Sequence, residues 1–238
     1  MNAPIRLLIH GASGRMGQAL LRLAATMPEL QVVAAVSRQP FPATSDVPWF
    51  ATTALAAVPA FDVAIDFSLP AGLSGITALC RARGAALVCG STGLDPAQRA
   101  VLADAANHIA VLWAANFSIG IAVLNELVRQ AAAALPDWDC DVIEAHHRSK
   151  RDAPSGTALA LGAALTEGRG RAPQYCAIRA GDIVGEHTVM LTAAGERLEL
   201  IHRASDRDIF ARGALEAARR LAGQAAGSHD LGSLLLAR

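Results

Sequence analysis

Aromatic residues, cysteines and net charge are all scarce in this chain of 238 residues. Aromatic side chains make up 4% of the sequence, and the formal net charge is zero. A nucleic-acid-binding surface usually needs a basic excess, so the charge balance argues against a nucleic-acid partner. Every apolar run is soon interrupted, and none is long enough to span a bilayer as a helix. We therefore expect neither a nucleic-acid nor a membrane partner.

The four cysteines, Cys80, Cys89, Cys140 and Cys176, are widely scattered and form no CxxC pair. This spacing indicates neither a zinc site nor a disulfide framework. No signal-peptide pattern precedes the first apolar run. From these features we expect a cytoplasmic protein whose thiols stay reduced.

The first half of the chain alternates between short apolar runs and segments with helical spacing. The runs that predict strands are IRLLIH, QVVAAVS, FDVAIDFS, AALVCGSTG and HIAVLWAAN. Continuous apolar strands separated by helices are typical of a parallel sheet covered on both faces. Ligands of such sheets bind at the carboxyl ends of the strands.

The pattern changes after residue 116. Residues 118–134 predict one long helix, and CDVIEAHH predicts a strand, with another helix at about 157–165. The runs QYCAIRAG, HTVMLTAAG and RLELIHRAS predict strands of a mixed or antiparallel sheet, and EGRGRAP before them predicts a polar loop. Residues 210–221 return to an amphipathic helix.

Together these patterns predict an α/β protein with two domains. We expect a Rossmann-like, parallel-sheet dinucleotide-binding domain over residues 1–116 and 208–238. The second domain, over residues 117–207, is expected to be an α+β unit with a mixed sheet. Closure of the two domains over bound ligands is expected for such a design.

The segment GASGRMG follows the first predicted strand and opens a helix. Its glycines fit a GxxGxxG variant of the dinucleotide fingerprint, which needs a tight turn, close approach of backbone to a pyrophosphate and tight helix packing. The helix start adds N–H donors for phosphate oxygens. A plain glycine turn is the alternative, but the position after the first strand favours a cofactor site. The small residues of GSTG and AANFS, after later strands, would let a nicotinamide and its ribose lie against backbone.

The second strand ends in AAVSRQ, where an acidic residue would bind the 2′-hydroxyl of NAD. Ser37 and Arg38 stand there instead. An arginine suits a 2′-phosphate, because its planar fork pairs with phosphate oxygens. We therefore favour NADPH over NADH and count Arg38 among the cofactor residues. The alternative is that Arg38 is a solvated loop residue.

The segment EAHHRSKRDAPSGTA concentrates groups that can supply protons. His146 and His147 come at the end of a predicted strand, and Lys150 follows in the loop. Neighbouring strand residues point to opposite faces, so we expect the two histidines to have different tasks.

The same segment ends in a turn that leads into a helix. Ser155 is a candidate N-cap, and Gly156 permits close approach of a ligand to the backbone. The N–H groups of Gly156 and Thr157, with the Thr157 hydroxyl, would bind a carboxylate. Proton donors beside an anion site predict an active site for an acidic substrate.

Two other interpretations of this segment are disfavoured. No GxSxG motif surrounds Ser155, so it is not expected to be a hydrolase nucleophile. No carboxylate or cysteine accompanies the histidine pair in a familiar ligand spacing, so no metal site is predicted. The remaining histidines are interpreted as ordinary core or surface residues: His10, His108, His187, His202 and His229.

These motifs together resemble the 4-hydroxy-tetrahydrodipicolinate (dihydrodipicolinate) reductase family of bacterial lysine biosynthesis. The resemblance runs in order through the chain, over GASGRMG, the DFS strand end, GSTGL, AANFSIG, EAHHRSKRDAPSGTA and RAGDIVGEHT. It implies reduction of a cyclic unsaturated imine dicarboxylate by NADH or NADPH, giving tetrahydrodipicolinate on the route to diaminopimelate and lysine. It also implies a homotetramer that associates through the substrate-domain sheets.

The resemblance assigns roles by position. His146 takes the role of proton donor and acceptor, and Lys150 that of proton donor. The substrate-binding places fall to His147, Ser155, Gly156 and Thr157. The cofactor places fall to Gly11, Ala12, Ser13, Gly14, Arg15, Met16, Gly90, Ser91, Thr92, Ala114, Ala115, Asn116 and Phe117.

The chain departs from the family pattern at Ser37, where many relatives carry an acidic residue, and its loops at 38–48 and 166–175 are short. The runner-up is a related nicotinamide-dependent dehydrogenase of another small dicarboxylate or amino acid, for instance one like aspartate dehydrogenase. Such an enzyme would not need the HH-x-x-K and PSGT motifs. A regulatory protein that senses NADPH without turnover would be expected to lose His146 or Lys150, and both are present.

Overall fold

The computed structural model describes residues 3–40 and 46–236. The predicted loop 38–48 therefore lies partly outside the described residues. The strands are β1 (Ile5–His10), β2 (Leu30–Ser37), β3 (Trp49–Ala51), β4 (Val63–Asp66), β5 (Ala86–Cys89), β6 (Ala110–Trp113), β7 (Asp139–His146), β8 (Gln174–Arg179), β9 (Gly185–Ala193), β10 (Glu196–Ala204) and β11 (Gly227–His229). The α-helices are α1 (Arg15–Ala24), α2 (Leu73–Arg83), α3 (Pro96–Ala106), α4 (Ile119–Ala134), α5 (Gly156–Arg169), α6 (Asp208–Leu221) and α7 (Leu231–Leu236). Two 3₁₀ helices span Thr52–Ala57 and Pro70–Gly72.

The chain divides into two compact units, Met1–Phe117 with Phe210–Arg238, and Ser118–Ile209. In the first unit seven strands form a parallel sheet in the order β11-β6-β5-β4-β1-β2-β3. The order reverses at β1, which pairs with β2 on one side and β4 on the other. A ligand crevice is expected at the carboxyl ends of strands at such a reversal. The predicted Rossmann-like sheet is confirmed.

The parallel sheet is buried because helices cover both of its faces. All four residues of β4 and of β5 are buried. Helix α1 turns Leu20, Leu21 and Leu23 inward and leaves its polar residues outward. Each fully buried leucine contributes roughly 1.5–3 kcal/mol of transfer free energy. The short elements β3, β11 and α7 were not predicted, because three to six residues give too little pattern to recognise.

The second unit contains a four-stranded mixed sheet in the order β10-β9-β7-β8. Strand β7 runs parallel to β8 and antiparallel to β9. Helices α4 and α5 pack on one face over an apolar core that includes Leu124, Val128, Val142, Leu161 and Val189. The predicted α+β unit with a mixed sheet is confirmed.

Helix α5 is longer than the sequence predicted, so the expected polar loop over residues 167–173 is wrong in its first part. The helix continues to Arg169 and ends where Gly170 takes a φ of +74°. Gly168 lets α5 approach α4 closely, because a Cβ there would lie 2.7 Å from the Arg129 carbonyl oxygen. This packing extends the helix through a stretch whose composition is typical of a loop.

Over the described ranges, no helix has both the length and the apolar character needed to cross a bilayer. The four cysteines are free, and Cys80, Cys89 and Cys140 are buried. Burial raises the pKa of the Cys89 thiol to about 12. These thiols are therefore protonated core side chains, as the sequence predicted for Cys80 and Cys89.

A buried, hydrogen-bonded carboxylate joins the carboxyl ends of three adjacent strands in the first unit. The Asp66 carboxylate at the end of β4 lies 2.8 Å from Nδ1 of His10 on β1. It also accepts hydrogen bonds from the Ser68 backbone N–H and from the Ser91 hydroxyl after β5. Burial would raise the pKa of Asp66, but the His10 and Ser68 interactions outweigh burial and lower it. This cluster holds together the loops at the carboxyl edge of the sheet, where a ligand is expected to bind.

We predict that Asp66→Asn lowers the free energy of unfolding by about 2 kcal/mol, because it removes the buried negative charge and places an amide N–H donor where a carboxylate oxygen accepts from the Ser91 hydroxyl. Urea denaturation measures the loss. Asp62→Asn is the matched control, since Asp62 pairs with Arg6 on the same sheet but both side chains are exposed. A loss in Asp66→Asn no larger than in the control would contradict the assignment.

Candidate active site

The turn between β1 and α1 needs two of its three glycines for reasons internal to the protein. Gly11 has a φ of +82°, and a Cβ there would lie 2.6 Å from the Phe67 carbonyl oxygen. A Cβ on Gly17 would lie 2.4 Å from the Gly11 carbonyl oxygen. These two glycines allow the tight turn and the close packing of α1 against it.

Gly14 has no comparable internal reason to be glycine. It is exposed, it is the N-cap of α1, and no side chain caps that helix end. The nearest atom to a Cβ there would be the Gly11 carbonyl oxygen at 3.3 Å. Exposed residues Ser13 and Arg15 flank it. An uncapped helix start with an exposed glycine fits the close approach of a pyrophosphate, so the dinucleotide prediction agrees with this geometry.

The end of β2 carries a neutral residue, Ser37, at the position where a ribose-binding carboxylate would be expected. Ser37 is buried, and its hydroxyl donates to the Gln39 carbonyl oxygen at 2.6 Å. The same hydroxyl accepts a 2.9 Å hydrogen bond from the indole N–H of Trp49 on β3. Arg38 next to it is exposed. The strand end thus presents an arginine and an indole, with no carboxylate.

The predicted cofactor segments follow β5 and β6, which are adjacent strands of the sheet. Ser91 is buried, and its hydroxyl is committed to Asp66 and to the Ser68 carbonyl oxygen. Any cofactor contact of Ser91 would therefore involve its backbone. Thr92 and Ala115 are exposed, and Phe117 is buried with its ring 5.5 Å from that of Phe67.

Strand β7 brings a carboxylate and a histidine to one face in the second unit. Glu144 and His146 are two residues apart, so both point to the buried side of the sheet. The Nδ1 atom of His146 lies 2.5 Å from Oε2 of Glu144. Arg179 on β8 donates one hydrogen bond to each Glu144 oxygen, at 2.7 and 2.8 Å. The buried carboxylate is therefore paired with a histidine and a bidentate arginine.

The Glu144 carboxylate also contacts the start of α5. Its Oε1 accepts a 3.2 Å hydrogen bond from the backbone N–H of Ser155. The Ser155 hydroxyl caps the helix by accepting from Ala158 N–H, which confirms the predicted N-cap. Gly156 is exposed, and a Cβ there would meet no atom within 4 Å. Open space thus lies next to the helix start where a carboxylate was predicted to bind.

A second buried histidine lies beside this cluster. His187 on β9 is 4% exposed, and its Nε2 lies 3.2 Å from the Ser155 hydroxyl. Its ring meets that of His146 edge-on, with centroids 5.1 Å apart. The sequence predicts no role for His187, because the antiparallel pairing that places it opposite Glu144 cannot be recognised from single runs.

The other predicted residues of the segment are more exposed. Lys150 donates a 2.8 Å hydrogen bond from Nζ to Asp152, and its side chain is 22% exposed. His147 lies just beyond β7, is half-buried, and has Nδ1 2.8 Å from the Ser149 hydroxyl. The two histidines therefore have different surroundings, as their adjacent positions predicted.

The surroundings set the charge of the buried groups. Burial would raise the pKa of Glu144, but Arg179 and His146 outweigh it and lower that pKa. Burial lowers the pKa of His146, with smaller contributions from Lys150 and Arg179, and Glu144 opposes this effect. Burial, with the charge of His146, lowers the pKa of His187 to about 4. At neutral pH Glu144 is ionised and His187 is neutral.

The sequence predicts no role for Glu144 or Arg179, although Glu144 is the first residue of the segment EAHHRSKRDAPSGTA. A carboxylate two residues before a histidine on an alternating strand shares that histidine's face, and this spacing could have identified it. Arg179 could not be found this way, because strand order decides its contact. Within the described residues no group of three or more His, Cys, Asp or Glu could hold a metal ion.

Comparison with protein-family models matches both parts of the chain. The model described as dihydrodipicolinate reductase, N-terminus, matches residues 5–117. The model described as dihydrodipicolinate reductase, C-terminus, matches residues 120–235. Among curated proteins, the 4-hydroxy-tetrahydrodipicolinate reductases of Xanthomonas axonopodis pv. citri and Stenotrophomonas maltophilia strain R551-3 are each 62% identical, over 98% of both chains. That of Xylella fastidiosa is 57% identical over 99% of this chain and 100% of its own.

Solved structures share the fold at low identity. A dipicolinate-bound dihydrodipicolinate reductase from Paenisporosarcina sp. TG-14 has a TM-score of 0.86 at 23% identity, covering 98% of this chain and 99% of its own. A DAP dehydrogenase of C. glutamicum has a TM-score of 0.66 at 16% identity, covering 100% and 97%. Aspartate dehydrogenase of Thermotoga maritima has a TM-score of 0.55 at 13% identity, covering 94% and 99%.

The low pKa of His187 predicts acid sensitivity. Its folded pKa of about 4 lies below the unfolded value of about 6.5, so acidification protonates the unfolded chain first. The stability that neutral His187 contributes is therefore lost as pH falls from about 6.5 to about 4, by up to about 1.4 kcal/mol per pH unit. Urea unfolding at several pH values should show a shallower dependence in His187→Gln. His108→Gln, which changes an exposed histidine, is expected to leave the dependence unchanged; equal slopes in all three proteins would rule the prediction out.

Proposed function

The chain belongs to the dihydrodipicolinate reductase family, and on that premise we propose that it reduces 4-hydroxy-tetrahydrodipicolinate, whose hydroxyl leaves as water, to tetrahydrodipicolinate with a nicotinamide cofactor. This step lies on the diaminopimelate route of lysine biosynthesis. The runner-up dehydrogenases share only the fold, at 13–16% identity. The single observation that carries the role assignments is the Glu144 carboxylate, which contacts both His146 and the backbone N–H of Ser155 at the start of α5.

We assign the substrate to the second unit. Gly156 and Thr157, with the N-cap Ser155, would hold a substrate carboxylate, because a helix start offers N–H donors and a favourable dipole. His147 and Lys150 would supply further donors for the second carboxylate. Two carboxylates on a small ring require several donors at fixed positions, and this segment provides them within a few residues.

The nicotinamide cofactor, when bound, supplies the hydride. The residues assigned to hold it are those of the Gly11–Met16 turn, Arg38, and the segments Gly90–Thr92 and Ala114–Phe117. Charge that develops on the substrate as the hydride arrives must be neutralised by a nearby proton. His146 and Lys150 are the proposed donors.

We propose NADPH as the preferred cofactor. Arg38 is exposed at the end of β2 and can pair with a 2′-phosphate. The usual carboxylate that would repel this phosphate is replaced by Ser37, whose hydroxyl is occupied by Gln39 and Trp49. A 2′-hydroxyl would thus find no charged acceptor at this strand end, whereas a phosphate would find a cation.

We also propose a homotetramer located in the cytoplasm. The face of the mixed sheet opposite α4 and α5 exposes Ile178 by 45% and Ile201 by 41%. Strand pairing places half-buried Ile143 on the same face, in register with Cys176 and Thr188. Contiguous exposed apolar side chains on a sheet are typical of a surface that contacts another chain.

The role assignments predict that some substitutions mainly change kcat and others mainly change KM. His146→Ala or Lys150→Ala should mainly lower kcat, by roughly 10²-fold or more, because each removes a proton donor. Thr157→Val should mainly raise KM, because it removes a donor to the substrate carboxylate. The measurement is the loss of absorbance of the reduced cofactor with freshly generated substrate. Near-normal kcat in both donor variants would refute the roles, and no turnover by the unmodified protein would refute the function.

Cofactor preference is tested separately. Arg38→Ala should lower kcat/KM for NADPH by roughly tenfold, as expected for loss of a charged hydrogen-bonded pair, and change that for NADH little. Binding of the two oxidised cofactors, followed by quenching of tryptophan fluorescence, gives a second readout that needs no turnover. Arg99→Ala, an exposed arginine on α3, is the control. Stronger use of NADH than NADPH by the unmodified protein would overturn the preference.

A further inference from the structure

One carboxylate contacts both parts of the proposed substrate site. Glu144 is 1% exposed, and its two oxygens serve different elements. Oε2 binds Nδ1 of His146 at 2.5 Å, whereas Oε1 accepts from the backbone N–H of Ser155 at 3.2 Å. The proton donor at the end of β7 and the helix start that would hold the substrate carboxylate are therefore tied to a single side chain.

We propose that Glu144, held by Arg179, is a positioning residue: it fixes His146 in the tautomer with hydrogen on Nδ1 and orients its Nε2 to exchange the proton with the substrate. This inference rests on the proposed function, since it assigns a supporting role to the proposed proton donor. Glu144 itself touches neither substrate nor cofactor in this scheme.

The tautomer follows from the chemistry of the carboxylate. Arg179 donates to both Glu144 oxygens, and these bonds stabilise the ionised form of a buried carboxyl group. An ionised carboxylate can only accept hydrogen bonds. The short contact therefore requires His146 to donate from Nδ1, which leaves Nε2 as the nitrogen that gains and loses the proton.

Space at Nε2 is provided by a glycine. A Cβ on Gly185, the first residue of β9, would lie 3.1 Å from Nε2 and 3.4 Å from Cδ2 of His146. Gly185 has an ordinary backbone φ, so no left-handed conformation explains it. The missing side chain instead keeps the immediate surroundings of Nε2 uncrowded.

Arg179 has a distinct part in the arrangement. A buried carboxylate without a cation would compete with His146 for the proton, because burial favours the neutral form of both groups. The guanidinium, bonded at 2.6 Å to the Asp152 carbonyl oxygen as well, keeps the negative charge on Glu144. The proton then stays on the histidine. The charged or titratable groups that face His146 are Glu144 on its own strand, Arg179 on β8, His187 on β9 and Lys150 in the following loop.

The proposal is tested first without turnover. Solid-state ¹⁵N NMR of histidine-labelled protein distinguishes the two tautomers, and the His146 signals are assigned by their loss in His146→Gln. We expect the Nδ1–H tautomer in the unmodified protein. In Glu144→Gln the loss of a neighbouring negative charge should lower the pKa of His146 by about one unit or more, and the Nε2–H tautomer should appear.

Kinetics give the second readout. Because the protonated histidine is the acid, the alkaline limb of the kcat/KM profile should move to lower pH in Glu144→Gln, and kcat should fall roughly tenfold or more. Glu144→Asp, which keeps the charge, should restore part of both. Glu167→Gln is the matched control: Glu167 on α5 also pairs with an arginine, Arg129, but is 66% exposed. Its profile should match that of the unmodified protein.

If Glu144→Gln does not fold, Arg179→Lys serves instead, because a lysine ammonium retains the positive charge but not the bidentate contact. In this variant kcat should fall, and the alkaline limb should shift less than is expected for Glu144→Gln. An unchanged tautomer and pKa of His146 in the folded variants would overturn the proposal. An unmodified protein with the Nδ1–H tautomer but no reductase turnover would overturn the proposed function while leaving the positioning intact.

Discussion

A buried carboxylate must be fully hydrogen-bonded. In the second unit the buried carboxylate is that of Glu144, and side chains and backbone from several elements converge on it. Four donor groups reach its two oxygens, from β7 itself, from both terminal nitrogens of Arg179 on β8 and from the start of α5. Leaving a charged group buried without these partners would cost several kcal/mol. The need to satisfy one side chain thus fixes the relative positions of a strand end, a neighbouring strand and a helix start.

The first unit meets the same requirement at Asp66. There the partners come from β1, from the loop after β4 and from the loop after β5, so one strand end and two loops at the carboxyl edge of the sheet share one carboxylate. Both clusters lie at the ends of strands, where side chains from different elements converge. In each unit the shared carboxylate holds these elements together next to the residues proposed to bind a ligand, and positions fixed before binding limit the loss of conformational entropy on binding.

Most of the fold could be predicted from the sequence, because it depends on patterns contained within single segments. Alternating apolar runs and helices predicted the parallel sheet, and the Ser155 N-cap was recognised from one stretch of residues that also predicts roles for His146 and Lys150. Arg179 and His187 could not be recognised, because their contacts depend on which strands pair with β7. The end of α5 was missed for a related reason: packing of Gly168 against α4 outweighed a local composition that favours a loop.

The end of β2 shows how a tertiary contact changes the meaning of a local departure. In the sequence, Ser37 stands where an acidic residue would bind the ribose of NAD. Its hydroxyl could still have hydrogen-bonded to that ribose. In the structure, however, the Ser37 hydroxyl already makes two hydrogen bonds: it donates to the Gln39 carbonyl oxygen and accepts from the Trp49 indole N–H. Trp49 comes from β3, a strand of three residues that the sequence pattern did not predict. The occupied hydroxyl is neutral and the neighbouring Arg38 is a cation, and this charge balance is the physical basis of the proposed preference for a 2′-phosphate over a 2′-hydroxyl.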